Sequence, residues 1–178
     1  MTDVIEISPR LAEWAALAGY SLTPGSRTDD GRALFWSDGG EIRHFIGTNS
    51  GGWFVVTDSD RLGPEYLNLA ARSMTTIEHY FFGQFGRFIR SKKKLPRVHM
   101  PIESEEISAG FTIRTQPFDG AERLALIGPD GSEVAISSGD KFSGTADLVK
   151  LSLFLTATAE DIMASYLDPS GKPLFTLQ

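Results

Sequence analysis

The sequence predicts an α+β fold built on antiparallel sheets, and three observations carry that prediction. Strand pairs flank Asp-Gly turns in both halves, at Asp38-Gly39-Gly40 and at Pro129-Asp130-Gly131. Strands do not alternate with helices in βαβ order, so a doubly wound parallel sheet is not expected. Between the halves, in residues 63–97, Tyr66, Ala70, Met74, Ile77, Phe81, Phe85 and Phe88 recur at steps of three and four. That spacing marks one helical stripe. Hydrophobic residues are 41% of the 178-residue chain, enough to build a core around such a helix.

Ser8 and Pro9 read as the cap and first turn of a helix. Leu11, Trp14, Ala15 and Ala18 share one face of it, and Gly19 closes it. Residues 20–22 read as a short strand and 27–31 as a polar loop. Residues 32–37 and 41–47 pair as a hairpin, 49–52 turn again, and 53–57 add a third meander strand. In the stripe, Pro64 suits a first helical turn and Glu65 complements the positive end of the helix dipole. Thr75 and Glu78 have capping-box spacing, so a second helix can start after a break near Ser73. Pro96 ends the segment. Residues 98–106 read as an acidic linker, 111–115 as a strand, and 122–127 with 133–137 as a hairpin. Residues 145–156 read as a helix with Leu148, Leu151 and Leu155 on one face. Thr158 and Asp161 cap a last helix through Tyr166, Pro169 ends it, and 173–177 form a weak strand.

This order predicts two lobes, 1–97 and 98–178, each a small antiparallel sheet with flanking helices. One continuous sheet through both is the alternative. Ala18-Gly19-Tyr20-Ser21-Leu22 resembles Ala109-Gly110-Phe111-Thr112-Ile113, and each is followed by a strand, an Asp-Gly turn and a strand. Either one α+β unit was duplicated, or turn chemistry alone imposes the likeness.

Charge and composition narrow the function. The formal net charge is −6 and the pI about 5.1, which argues against nonspecific nucleic-acid binding. The charge is uneven: Arg87, Arg90, Lys92, Lys93, Lys94 and Arg97 follow one another with no acid among them. Wet, this cluster is a solvated helix end or a patch that steers an acidic partner. The chain has no cysteine, which removes disulfide scaffolds, thiolate zinc sites and cysteine nucleophiles. That fits a reducing cytoplasm. Residues 1–10 do not read as a secretory leader. No apolar run reaches the ~20 residues of a membrane-spanning helix.

No catalytic constellation stands out. His44, His79 and His99 lack metal-ligand spacing, and neither a nucleophile elbow nor a P-loop is present. The chain is therefore read as no enzyme, with no cofactor and no metal. The competing reading is a small-molecule pocket or active site lined by Tyr80, Phe81 and Phe85. A DNA-binding repressor is disfavoured by charge and by the lack of a helix-turn-helix pattern. For a protein partner, the loops 48–53 and 58–62 offer Asn49, Trp53, Asp58, Asp60 and Arg61, and the basic segment offers Arg90, Lys92, Lys93 and Lys94. Trp53, beside Gly51-Gly52, is either an interface anchor or a strand residue packed inward.

Leu34-Phe35-Trp36-Ser37-Asp38 and 41–47 carry a family resemblance, together with Ser73-Met74, Ile77-Glu78, Gly83, Ile89-Arg90-Ser91 and Leu95-Pro96-Arg97. The chain is similar here to the TNT-antitoxin group of bacterial immunity proteins, and the likeness extends to 148–152 and 166–175. The resemblance implies a cytoplasmic protein that binds a secreted NAD-hydrolysing toxin domain and shields its active site. It implies no cofactor and no chemistry of the protein's own, beside the charge and apolar-run arguments for no nucleic acid and no membrane. It assigns no contact residues, so the candidates above rest on the surface argument alone.

Overall fold

All but two of the strands enter one sheet. The computed structural model describes residues 3–178; Met1 and Thr2, which open the stretch read for a leader, lie outside the described residues. The elements are α1 (Pro9–Leu17), β1 (Tyr20–Thr23), β2 (Ala33–Ser37), β3 (Ile42–Thr48), β4 (Phe54–Asp60), β5 (Tyr66–Ala71) and α2 (Met74–Lys92). After them come β6 (Val98–His99), β7 (Thr112–Phe118), β8 (Ala121–Ile127), β9 (Glu133–Ser137), α3 (Lys141–Leu155), α4 (Ala159–Leu167) and β10 (Thr176–Leu177). The fold is α+β. Eight strands run β1-β2-β3-β4-β5-β9-β8-β7, every described pair antiparallel, and β6 pairs with β10.

The two halves therefore do not carry separate sheets. Residues 69–71 of β5 pair with 135–137 of β9, which joins the meanders into the continuous sheet. The physical reason is that each meander alone would leave an open edge beside its core, and pairing the edges satisfies both. The similar segments at Gly19 and Gly110 occupy comparable places. Both glycines have positive φ, 90° and 87°, and lead into β1 and β7, the two outer edges of the sheet. The stretch read as a linker is also structured. It holds β6 and a 3-10 turn whose Glu103 and Glu106 cap one another.

The stripe read over 63–97 is helical only from Met74, with the Ser73 hydroxyl accepting from the Thr76 amide as the cap. Thr75 and Glu78 form no capping box; Glu78 instead accepts from the amide and hydroxyl of Ser8. Upstream, residues 66–71 form strand β5. Tyr66 and Ala70 fit a step of four, but Leu69 and Ala71 alternate with Ala70 across a strand. Ladder bonds to β4 and β9 decide in favour of the strand, a case of tertiary pairing overriding local periodicity.

The helices cover one face of the sheet. Tyr20, Phe35, Ile46, Val56, Leu69 and Leu126 point into a core shared with the helices, while Ala70, Ala125 and Ile136 alternate to the other face. α2 lies against that core through Phe81 and Phe85, which stack on each other and meet Phe35 at 5.3 and 5.1 Å between centroids. Its opposite side packs on α3 and α4 through glycines. A Cβ on Gly83 would sit 2.2 Å from Phe154 Cε2, and one on Gly86 would sit 2.2 Å from Tyr166 Cδ2. The Trp14 indole pins α1 to the same helix by donating to the Phe82 carbonyl at 3.0 Å. Gly83→Ala and Gly86→Ala should each destabilise the fold by about 1–3 kcal/mol, overpacking outweighing the helix propensity gained. Gly139→Ala, which meets nothing within 4 Å, should change stability by less than ~0.5 kcal/mol. Urea midpoints of the three variants measure the difference.

Candidate functional site

α2 ends in the basic segment, and the structure divides that segment in two. Arg90 is 5% exposed. Its guanidinium donates to the carbonyls of Pro96, Ser165, Tyr166, Asp168 and Pro169 at 2.7–3.3 Å. It is thus not a wet contact residue, as the sequence suggested, but a buried clamp joining α2 to the end of α4. Five donors on a planar fork suit a ring of carbonyls, and that is why an arginine can be buried here without a carboxylate. Lys92, Lys93 and Lys94 are exposed and lie at the helix end, where positive charge complements the dipole.

The loop candidates do not converge either. The Asn49 carboxamide oxygen accepts from the amides of Gly51 and Trp53 and closes the β3–β4 turn. Trp53 is 6% exposed, edge-on to Phe118 and capped by the Arg72 guanidinium at 3.8 Å. Its ring packs inward and is no exposed anchor. Asp60 and Arg61 sit at the other end of β4, which at ~3.3 Å per residue is roughly 20 Å away. Asp58 lies beside His44, with 2.6 Å between Oδ1 and Nδ1, next to Tyr20. Burial, with the Asp58 carboxylate adding to it, holds the Tyr20 and Tyr80 hydroxyls above the usual tyrosine range.

What the fold does assemble at the β4–β5 turn is an apolar depression of about 510 Å³. Leu34, Trp36, Arg43, Arg61 and Leu62 line it. Arg61 and Leu62 both adopt left-handed backbone, with φ of 48° and 62°, and Leu62 is 80% exposed. Left-handed conformation is costly for a leucine, so the turn holds an apolar side chain in water at some expense. The Arg43 guanidinium donates to Ser59 Oγ at 3.2 Å, yet its buried Nε has no partner among the described residues. Of these residues the sequence reading named only Arg61 as a contact. Leu62 lies within the 58–62 loop singled out there, whereas Leu34, Trp36 and Arg43 were missed because a strand's two faces cannot be told apart until its neighbours are known.

A second, deeper cavity of about 560 Å³ lies between α2, α3 and residues 95–102. Tyr80 lines it, but Phe81 and Phe85 do not. Their rings face Phe35 and the sheet, so the aromatic pocket read from the sequence has the wrong walls. Leu151, Phe154, Tyr166 and Met100 supply the apolar floor instead. Asn68 and Gln84 donate to the Tyr80 hydroxyl at 2.8 and 2.7 Å. Glu106, beyond its rim, accepts from the amides of Ile102 and Glu103 and faces His99. Those bonds, the Ile102 amide first, hold its carboxyl down at about 2. The His79 ring bonds the carbonyls of Thr75 and Ala157. Among the described residues no three His, Asp or Glu side chains are grouped to hold a metal, and no helix is long and apolar enough to cross a membrane.

The profile of the family described as immunity protein 61 matches residues 14–174. The chain belongs to the immunity protein 61 family. It is 41% identical over 177 residues to the immunity factor for TNT of Mycobacterium tuberculosis (strain ATCC 25618 / H37Rv), covering 99% of this chain and 97% of that protein. The homolog of that factor in Mycobacterium bovis (strain BCG / Pasteur 1173P2) matches equally. Among solved structures, Rv3902c from M. tuberculosis superposes with a TM-score of 0.91 at 40% identity, covering 99% and 98% of the two chains. The immunity protein 61 match spans both halves and the joined sheet. Within it, Arg90 should be structural: Arg90→Ala should cost more than ~2 kcal/mol, since it orphans several buried carbonyls. Lys92→Ala and Lys93→Ala should each stay within ~0.5 kcal/mol. Chemical denaturation of the three variants checks this.

Proposed function

We propose that this protein is a cytoplasmic immunity protein that binds a secreted NAD-hydrolysing toxin domain and blocks its active site, performing no chemistry itself. The near full-length 41% identity to an immunity factor for TNT is the observation that carries the reading. The toxin docks on the depression at the β4–β5 turn. Trp36, Arg43 and Leu62 are apt there, because tryptophan and arginine dominate binding hot spots and a solvated leucine gains by burial. Arg43 lines the depression, and its guanidinium has donors beyond the one spent on Ser59 to offer an acceptor on the toxin. Lys92, Lys93 and Lys94, at the end of α2, steer encounter through their long-range charge. Asn49 and Trp53 then serve by shaping the turn and the sheet instead of touching the toxin.

Leu62→Asp with Arg61→Glu should weaken binding to a catalytically inactivated toxin by about 2 kcal/mol or more, mostly through faster dissociation. Lys92, Lys93 and Lys94 changed together to alanine should slow association and flatten its salt dependence, with an affinity loss of about 1–2 kcal/mol. Association kinetics at low and high salt separate the two. NAD turnover by the isolated protein, or undiminished toxin activity at equimolar ratio, would sink the reading.

A further inference from the structure

The cavity between α2, α3 and residues 95–102 shares no lining residue with the depression at the β4–β5 turn; of the steering lysines only Lys94 reaches it. At about 560 Å³ it falls within the ~300–1,000 Å³ of small-molecule sites. Its floor is apolar, with Leu151, Phe154 and Tyr166 almost wholly buried beneath it. Five cationic side chains line it against one side-chain carboxylate, and the last residue, Gln178, lines it as well. That carboxylate, Asp147, lies 3.2 Å from Lys150 and is shared with it. Arg90 is spent on backbone carbonyls. Arg87, Lys94 and Arg97 remain, exposed and with no carboxylate within 4.0 Å among the described residues. Uncompensated cations around a low-dielectric cleft focus a positive potential into it. The same lining in an acidic protein is not a consequence of overall charge.

We propose that this cavity binds a small amphipathic anion, an apolar body carrying one carboxylate or phosphate group. The body lies on Leu151, Phe154 and Met100, which removes apolar surface from water on both sides. The head group meets Arg87 and Arg97, whose planar forks match either oxyanion. Lys94 adds charge at the mouth. Tyr80 and Gln84, hydrogen-bonded to each other in the wall, offer neutral polar contacts.

The test is calorimetric titration of the purified protein, without toxin, with decanoate, decyl phosphate and decyltrimethylammonium below their micelle concentrations. One-site saturable binding by at least one anion, at least tenfold tighter than by the cation of equal chain length, is expected. The tighter anion then names the head group. Arg87→Glu with Arg97→Glu, both on the surface, should weaken that binding at least tenfold and leave the unfolding midpoint in place. Ser91→Trp, which projects a ring from the exposed side of α2 into the mouth, should weaken both anions alike. No saturable binding by either anion, equal binding of the cation, or unchanged affinity in the double arginine variant would each overturn the proposal.

Discussion

α2 has to pack on two sides at once, and most of the structure depends on how it does so. Toward the sheet it presents Ile77, Phe81, Phe85 and Ile89, all within the main core. Rings of this size contribute a large share of core burial, and the tilted, edge-on and stacked contacts of Tyr20, Phe35, Phe81 and Phe85 fix how the helix lies across the strands. Toward α3 and α4 the same helix presents Gly83 and Gly86. The missing side chains let Phe154 and Tyr166 press against its backbone. Bulk on one face and its absence on the other are one requirement: the helix is the middle layer between a sheet and two further helices.

That layering explains why an arginine sits in the interior. Where α2 ends, the turn at the end of α4 points several partly or wholly buried carbonyls toward it. Arg90 satisfies them from a single side chain. The consequence for the surface is indirect. With Arg90 turned inward, the charges left outside are the lysines at the helix end and Arg87 and Arg97 around the cavity, with Lys94 belonging to both places.

The continuous sheet has a similar double effect. Joining β5 to β9 removes two open edges and gives both halves one core. It also leaves the sheet face away from the helices to be covered by local means. Toward β9 this is done by Trp53, Phe118 and the Arg72 guanidinium. Toward β2 and β3 the cover is thinner, and there Trp36, Arg43 and Leu62 surround an open depression.

Much was legible in the residues alone: the cap at Ser8, the hairpins about Asp38-Gly39 and Asp130-Gly131, the aromatic helix and the α+β class. Each is a local matter, decided by a side chain, a turn or a period of a few residues. The immunity family too could be read from short patterns. Residues 66–71 were misread because their apolar spacing satisfies a helix and a strand equally, and only partners on both sides choose between them. The same holds for the sites. Sequence shows that Arg90, Trp53 and Leu62 are an arginine, a tryptophan and a leucine near turns. Whether each faces carbonyls, another ring or water depends on segments up to 79 residues away. Composition and periodicity thus determined the elements and their class. Tertiary pairing alone decided which edges join, which cations stay wet and where a cavity opens, because burial and hydrogen-bond satisfaction are properties of surroundings that the local chain does not contain.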